Sequence, residues 1–326
     1  MIISTQDKPR SIAVVVLGAG RSGTSAITRG VQTLGVDLGD RLRPPGGKNP
    51  TGFFEDQDLL ALNQRLKRLL GIRGHSLRLI TPALWDTTEV RALHEEAVNT
   101  VRERFGHAPL WGFKYGRTLR MLPFWQRVFA ELDMDVRYVL ALRNPLSVAR
   151  SRAQLNPDRG RQAWSDMEWL VNVAPYFGRV QGHALAAVDF DAVLSDPAAQ
   201  LERIAALLQL PLGTSERKAI KTYAQTFLRP GMRHSQYQLS DLEHNPEVYR
   251  LVTEAYGWLH RLAHDEIKPD DTTLWADWAR IESAVLDLAP LLAEFDSLRC
   301  RLDRTLWNPA SPIQALRQVW RDLRSR

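Results

Sequence analysis

The chain has 326 residues, and its 43 lysines and arginines against 37 acidic residues give it a formal charge of +6. Its 44% hydrophobic and 25% charged residues are typical of globular proteins and exclude collagen-like or intrinsically disordered chains. No stretch approaches the ~18 continuous apolar residues that a membrane-spanning helix needs. The length allows one large domain or two modest ones, at roughly 100 to 200 residues per domain.

Cysteine usage and charge narrow the function classes further. The single cysteine, Cys300, excludes an internal disulfide and a cysteine-based zinc or iron–sulfur site. The apolar run from Ile12 to Ala19 is short, lacks a small-residue cleavage site and leads directly into a glycine-rich loop, so it differs from a signal peptide. We therefore expect a cytoplasmic protein. Because the positive charge is dilute and no DNA-binding motif is present, we expect no nucleic-acid partner.

Strand and helix signals alternate as far as Pro197. Ile12–Leu17 is a β-branched run, and the glycines after it lead into a helical pattern that stops at Gly35. Strands that alternate with helices in this way predict a parallel sheet covered on both faces. The further strands are predicted at Leu110–Lys114, Val136–Leu142 and Ala184–Phe190, and the helices between them around Glu89–Phe105, Leu122–Leu132 and Trp164–Val173.

Beyond Pro197 the sequence shows helix signals alone. A heptad pattern of apolar residues runs through Thr272–Trp307, and Pro290 is expected to bend or break that helix. The pattern fits a helical hairpin packed on its own domain or pairing between two subunits in a homodimer. We predict an α/β domain over residues 1–240 and a helical extension over 241–326. The predicted helices are Pro197–Leu208, Ser215–Thr226, Pro246–His264, Thr272–Trp307 and a basic amphipathic helix after Pro312.

The loop GAGRSGTS, Gly18–Ser25, follows the first predicted strand and carries the strongest signal for a binding site. Its glycines fit the dinucleotide fingerprint, but no second hydrophobic strand ends in the required acid near Asp37. The glycines also fit the Walker A spacing, but Thr24 stands where the lysine belongs, so a triphosphate would lose its clamp. What remains is the property that all phosphate loops share, namely backbone N–H groups and a helix N-terminus directed at an anion.

Two motifs resemble the sulfotransferases that use 3′-phosphoadenosine 5′-phosphosulfate (PAPS). RSGTS, Arg21–Ser25, resembles the 5′-phosphosulfate loop of that family. RNPLSVARS, after the third predicted strand, resembles its 3′-phosphate motif, with Arg143 and with Ser151 eight residues later. Asn49–Asn63 is similar to the family's acceptor segment, and Val188–Pro197 is similar to its later strand and loop. The resemblance covers roughly residues 10 to 240.

The resemblance implies a P-loop-like parallel sheet flanked by helices, followed by an α-helical C-terminal extension. It implies PAPS as the cosubstrate without a metal, and a small-molecule or glycan acceptor, with carbohydrate sulfation expected. WGFKYGRT departs from the family, because Tyr115 and Gly116 replace the usual Asp and Pro, whereas Lys114 and Arg117 are kept. The residues expected to bind PAPS are Gly20, Arg21, Ser22, Gly23, Thr24, Ser25, Arg143 and Ser151.

Sulfuryl transfer would build negative charge on the bridging oxygen and on the leaving phosphate. Cations and N–H groups at that point stabilise the transition state, and we assign this role to Arg21, Lys114 and the phosphate loop. The acceptor hydroxyl needs a base, for which Glu55 is the first candidate. The competing interpretation is that Glu55 and Asp56 only begin the helix that runs toward Leu70, where acids favour the N-terminal end. The alternative bases are Asp56, Asp58 and Asp86.

Three further possibilities were weighed from the sequence. His260 and His264 share one helical face, as in two-histidine zinc sites, but no third ligand can be named, so we expect no metal. Arg229–Ser235 is either a segment that closes over the nucleotide or a surface loop. The alternative function is a non-catalytic nucleotide-binding protein, or a small-molecule kinase with a degenerate P-loop.

Overall fold

A computed structural model describes residues 10–46, 49, 51–72, 74–228 and 235–307. Its centre is a four-stranded sheet in the order β2-β1-β3-β4, in which every neighbouring pair is parallel. All four predicted strands are confirmed, with small shifts at their ends. The strands are β1 Ile12–Gly18, β2 Leu110–Lys114, β3 Asp135–Leu142 and β4 Ala184–Asp189.

Helices connect the strands and continue to the end of the described chain. Short 3-10 turns occur at Pro82–Asp86, Leu119–Met121 and Gly178–Val180. The α-helices are α1 Thr24–Gln32, α2 Gln57–Leu69, α3 Thr88–Phe105, α4 Leu122–Glu131, α5 Pro145–Ala153, α6 Pro157–Gly160, α7 Gln162–Phe177, α8 Phe190–Ser195, α9 Pro197–Leu207, α10 Thr214–Thr226, α11 Leu239–Glu243, α12 Arg250–Ala263, α13 Thr272–Asp287 and α14 Ala289–Trp307.

The sheet carries a hydrophobic core on each face, as the α/β pattern predicts. Along β1, Val15 and Leu17 belong to the larger core, whereas Val14 and Val16 belong to the smaller one, because successive strand residues point to opposite faces. Residues of α2, α3, α4, α7, α12 and α13 contribute to the larger core, and residues of α1, α8, α9 and α10 contribute to the smaller one. The fold class is therefore α/β, with helices on both faces of a parallel sheet.

The C-terminal helices pack on the α/β layer. On α13, Trp278 packs against Phe177 of α7, and its indole Nε1 donates a hydrogen bond to the carbonyl of Ala174 at 3.1 Å. The heptad segment divides into α13 and α14 around Leu288, beside Pro290, where the sequence predicts a break. The domain boundary at residue 240 stays a prediction, and the amphipathic helix expected after Pro312 lies outside the described residues.

One predicted helix differs at its start. The sequence places it at Pro246–His264, but α12 begins at Arg250. Tyr249 is extended at the N-cap, and its N–H donates to the Asp166 carboxylate at 2.8 Å. That long-range hydrogen bond holds the preceding residues outside the helix.

Across the part of the chain that the structure describes, no helix is both long enough and apolar enough to span a membrane.

The parallel strands bring four functional segments to one edge of the sheet. β1 ends in the phosphate loop, β2 ends at Lys114, β3 ends just before Arg143, and β4 ends at Asp189. In open α/β sheets, ligands bind outside the carboxyl ends of the strands. Here that edge collects most of the residues that the sequence singles out.

Candidate active site

The phosphate loop combines left-handed backbone with an open helix end. Arg21 and Gly23 have φ angles of 78° and 77°. A Cβ on Gly23 would lie 2.1 Å from the ring of Phe190, so this position accepts only glycine. Gly23 is also the N-cap of α1 and offers no side-chain acceptor to the first N–H groups of that helix. These N–H groups and the helix dipole favour an anion at this end of α1.

Ser22 contributes a buried hydroxyl to the same loop. Its side chain is 1% exposed, and its Oγ has no hydrogen-bond partner among the described residues. Leaving a buried polar group unpaired costs about 1 to 3 kcal/mol. A ligand anion that approaches the loop would satisfy it.

Arg143 is the second unpaired group at this edge. It is 4% exposed, and its Nε and Nη2 have no hydrogen-bond partner in the described part of the chain. Its Nη1 lies 3.5 Å from the Arg21 carbonyl, and its guanidinium lies 5.2 Å from the centre of the Phe190 ring. Burial lowers the pKa of Arg143, against the attraction of Asp191. The guanidinium therefore has two nitrogen atoms, Nε and Nη2, whose N–H groups can donate hydrogen bonds to a ligand.

The two sequence motifs meet in space. The Nε of Arg21, in the phosphate loop, donates to the Oγ of Ser151 on α5 at 3.0 Å. Burial, together with the positive charge of Arg159, lowers the pKa of Arg21. The structure thus brings Arg21, Arg143 and Ser151 together, as the sequence predicts. Arg159 on α6 acts on Arg21 through its charge, while its own hydrogen bonds go to Glu168.

Helix capping at the start of α5 is carried out by Asn144. Its Oδ1 accepts from the N–H of Leu146 at 3.0 Å, and its Nδ2 donates to the carbonyl of Gln238 at 3.0 Å. Arg143 is therefore not the cap of this helix. A structural explanation for Arg143 would need another partner, and the described residues offer none that hydrogen-bonds its Nε or Nη2.

Lys114 links the phosphate loop to the predicted catalytic acid. Its Nζ donates to Glu55 Oε1 at 2.9 Å and to Ser25 Oγ at 3.3 Å. Burial lowers the pKa of Lys114, and the negative charge of Glu55 opposes that shift. The second oxygen of Glu55 lies 3.3 Å from Arg43 Nη1. Two cations therefore hold a buried carboxylate beside the loop, and Arg43 is a site residue that the sequence reasoning missed.

Glu55 lies outside the helix that follows it. The N-cap of α2 is Asp56, so the helix-starting interpretation fits Asp56 but not Glu55, which precedes the N-cap. Among the four candidate acids, Glu55 is the one that contacts Lys114. The other three bind elsewhere: Asp56 accepts from the N–H groups of Asp58 and Leu59 and pairs with Arg104, Asp58 pairs with Arg41 and Arg104, and Asp86 pairs with Arg127.

Tyr115 and Arg117 follow Lys114 at the end of β2. Burial raises the pKa of Tyr115, and the charges of Arg117, Glu55 and Arg43 act on its phenol. Arg117 donates to the carbonyl of Gly74 at 2.6 Å. Tyr115 is therefore near enough to Glu55 for the carboxylate charge to affect its phenol. Most of Arg229–Ser235, the candidate closing segment, lies outside the described residues.

Comparison with known proteins gives structural similarities at low identity. No family model matches the chain, and no curated protein matches it. The chain is similar to the sulfotransferase domain of the olefin synthase from Synechococcus PCC 7002, with 17% identity, a TM-score of 0.39, and coverage of 88% of this chain and 96% of that one.

Two further solved structures are similar to this chain. Sulfotransferase STF1 from Mycobacterium tuberculosis H37Rv is 16% identical, with a TM-score of 0.42 and coverage of 75% of this chain and 76% of that one. Retinol dehydratase, solved with androsterone and the inactive cofactor PAP, is 16% identical, with a TM-score of 0.34 and coverage of 87% and 80%. At such identities the function has to be argued from the residues of the site.

Proposed function

We propose that the chain is a PAPS-dependent sulfotransferase that moves a sulfuryl group to a hydroxyl acceptor. The observation that carries the proposal is the buried guanidinium of Arg143, whose Nε and Nη2 have no partner among the described residues, beside the phosphate loop. A buried charge is costly unless an anion meets it. Two anion-binding groups at one edge of the sheet suit a ligand with two separate phosphate-type groups.

The site residues fit the cosubstrate that the sequence motifs imply. The N–H groups of the loop, with Ser22 and Ser25, would hold a 5′-phosphosulfate, and Arg143 with Ser151 would hold a 3′-phosphate. When bound, PAPS supplies the activated sulfuryl group. Thr24 at the Walker lysine position argues against a nucleoside triphosphate, since the lysine that clamps the β- and γ-phosphates is missing from the motif.

Glu55 is proposed to take the proton of the acceptor hydroxyl. As the hydroxyl oxygen bonds to sulfur, the bond from sulfur to the 5′-phosphate oxygen breaks, and the electron pair stays on that phosphate. Arg21, Lys114 and the loop N–H groups stabilise this charge. Lys114 contacts both Ser25 and Glu55, so it joins the leaving-group side to the acceptor side. Arg43 holds the other Glu55 oxygen and orients the carboxylate.

Several finer expectations stay predictions. They are a carbohydrate acceptor, a cytoplasmic location and a homodimer formed through the C-terminal helices. Exposed apolar residues on α14, Leu291 and Leu298 among them, support the last, because subunit pairing would cover them.

Ligand protection in thermal unfolding tests the proposal before any acceptor is known. Adenosine 3′,5′-bisphosphate should raise the unfolding temperature without magnesium, whereas ATP, with or without magnesium, should leave it unchanged. Labelled PAPS with fractionated extract would then identify the acceptor. Protection by ATP with magnesium and none by the bisphosphate would contradict the proposal and favour a kinase. Protection by the bisphosphate without transfer to any acceptor would indicate a nucleotide-binding protein.

A further inference from the structure

A second polar cluster lies at the carboxyl end of β4, beside the candidate active site. Asp189 ends β4, and His260 and His264 approach it from the last turn of α12. One ligand atom from each residue lies within 4.8 Å of the others. His264 Nε2 is 3.6 Å from Asp189 Oδ2, and the two imidazole rings are 4.2 Å apart between centres. The sheet thus supplies the third group that the two-histidine pattern lacks in sequence.

The distance between the ligand atoms of His264 and Asp189 suits a tetrahedral metal ion, and the His260 atom lies within 4.8 Å of both. With metal–ligand bonds of about 2.1 Å, tetrahedral ligands lie about 3.4 Å apart. The observed 3.6 Å between His264 and Asp189 is close to that value. Because His260 and His264 are four residues apart, they share one face of α12, as in helical two-histidine zinc sites.

Each of the three residues has an atom available for a ligand. Asp189 Oδ1 caps α8, accepting from the N–H of Asp191 at 2.7 Å, which fixes the carboxylate and leaves Oδ2 facing His264. His260 Nδ1 is buried and has no hydrogen-bond partner among the described residues. A cavity of about 210 Å³ is lined by all three residues and by Tyr256. The cluster therefore has a fixed carboxylate, an unsatisfied imidazole nitrogen and space beside them.

We propose that Asp189, His260 and His264 bind a divalent zinc ion. Two imidazoles and one carboxylate form a donor set that Zn²⁺ accepts, and the fourth position would hold water. His264 is exposed, so the ion can enter from solvent. The proposal is independent of sulfuryl transfer, because none of the three residues belongs to the phosphate loop or contacts Glu55.

The zinc ion would join α12 to the end of β4, one residue before Phe190. The next residue, Phe190, packs against Gly23 and lies over the Arg143 guanidinium. Bound zinc would therefore fix the start of α8, which lies beside both the phosphate loop and Arg143. This gives zinc a structural role next to the nucleotide rather than a role in the reaction.

Zinc titration of the full chain tests the proposal. The untagged protein is treated with chelator and titrated with ZnCl₂ by calorimetry in the absence of nucleotide, and its unfolding temperature is recorded. We expect one zinc ion per chain and a rise in unfolding temperature. His260→Gln and His264→Gln should each weaken zinc binding by at least about 100-fold, since loss of a supporting residue alone costs about 10- to 100-fold. His244→Gln, an exposed histidine on the neighbouring segment, is the matched control and should bind zinc like the parent.

Two outcomes would overturn the assignment. One is a parent protein that binds no zinc, which would leave Asp189 and His264 as an ordinary ion pair. The other is a His264→Gln protein that binds zinc as tightly as the parent. His264 is exposed, so this variant is expected to fold even if His260→Gln does not, and circular dichroism without zinc checks both. Zinc binding is measured without PAPS, so failure of the proposed sulfotransferase activity would not affect the result.

Discussion

Two buried arginines stand at opposite ends of α5, and their surroundings differ. Arg152, near the end of the helix, donates from Nη1 to the Ser165 carbonyl at 2.7 Å, and its Nη2 lies 3.6 Å from Glu168. Arg143, just before the helix, has its Nη1 3.5 Å from the Arg21 carbonyl oxygen, and its guanidinium lies over the ring of Phe190. Burial lowers the pKa of both, and that of Arg152 to about 10.

The difference separates a structural arginine from one reserved for a ligand. Glu168 pairs with Arg152, Arg159 and His75. Burial alone would raise the pKa of Glu168, but the hydrogen bond with His75 and the two guanidinium charges hold it well below its usual range. The Nε and Nη2 of Arg152 also lack hydrogen-bond partners among the described residues, but Arg152 forms an ion pair with Glu168 and hydrogen bonds with Ser165. Within the described ranges no carboxylate forms an ion pair with Arg143, on which Asp191 and Asp189 act only through their charge. A buried cation without a bonded counter-charge therefore indicates where an anion binds.

The largest expected effect is on stability. Arg152→Met should lower the free energy of unfolding by about 3 kcal/mol or more, because it removes one partner of a buried ion pair and leaves Glu168 less compensated. Arg143→Met should leave the stability of the ligand-free protein unchanged or higher, because it removes a buried charge that lacks a bonded partner. Urea denaturation of both variants makes the comparison. Equal destabilisation would show that Arg143 is also structural.

The next effect is a loss of turnover when Glu55, the proposed base, is replaced. Glu55→Gln should reduce turnover by roughly 100-fold or more, the usual size of a general-base contribution, with nucleotide affinity unchanged. Asp58→Asn is the control, since Asp58 pairs with Arg41 and Arg104 away from the phosphate loop and should stay within about threefold. If the turnover of Glu55→Gln stayed within about threefold of that of the parent, another residue would have to be the base.

Two loop glycines should differ in what they tolerate. Gly23→Ala places a Cβ 2.1 Å from the Phe190 ring on a backbone with φ of 77°, whereas a Cβ on Gly20 meets nothing within 4 Å. Gly23→Ala should cost about 1 to 3 kcal/mol of stability, as overpacking does. Gly20→Ala should cost well under 1 kcal/mol on the same principle. Thermal unfolding of the ligand-free variants measures both, and similar losses would mean that Phe190 does not pack on Gly23.

The last expected effect concerns how the stability of the protein depends on pH through the buried Asp166 carboxyl. Burial raises the pKa of Asp166 to about 6, against hydrogen bonds from Tyr249 and Gln162. The folded state therefore holds this proton more tightly than the unfolded state, and stability from Asp166 is lost as the pH rises from about 4 to 6. The loss is about 3 kcal/mol, because the shift is about two pKa units and each unit corresponds to about 1.4 kcal/mol. Asp166→Asn should abolish this part of the pH dependence in urea denaturation, and an unchanged profile would contradict it.

Local patterns predicted the fold and named several residues of the candidate site. β-branched runs and helix periodicity are local signals, so the strands at Ile12–Leu17 and Leu110–Lys114 and the break at Pro290 could be predicted. Order along the chain placed the loop and Arg143 at one sheet edge, because parallel strands end together. Nothing local marks Arg43 or the Asp189 carboxylate beside His260, because those contacts depend on how distant segments fold together.

Binding of PAPS to Arg143→Ala, compared with adenosine 5′-phosphosulfate, tests the central claim most directly. The second ligand lacks the 3′-phosphate but keeps the 5′-phosphosulfate. If Arg143 holds the 3′-phosphate, the variant should lose about 1.5 to 3 kcal/mol of PAPS affinity, which is about 10- to 150-fold, and bind the second ligand almost as the parent does. Equal weakening of both ligands, or of neither, would contradict the claim that Arg143 holds the 3′-phosphate.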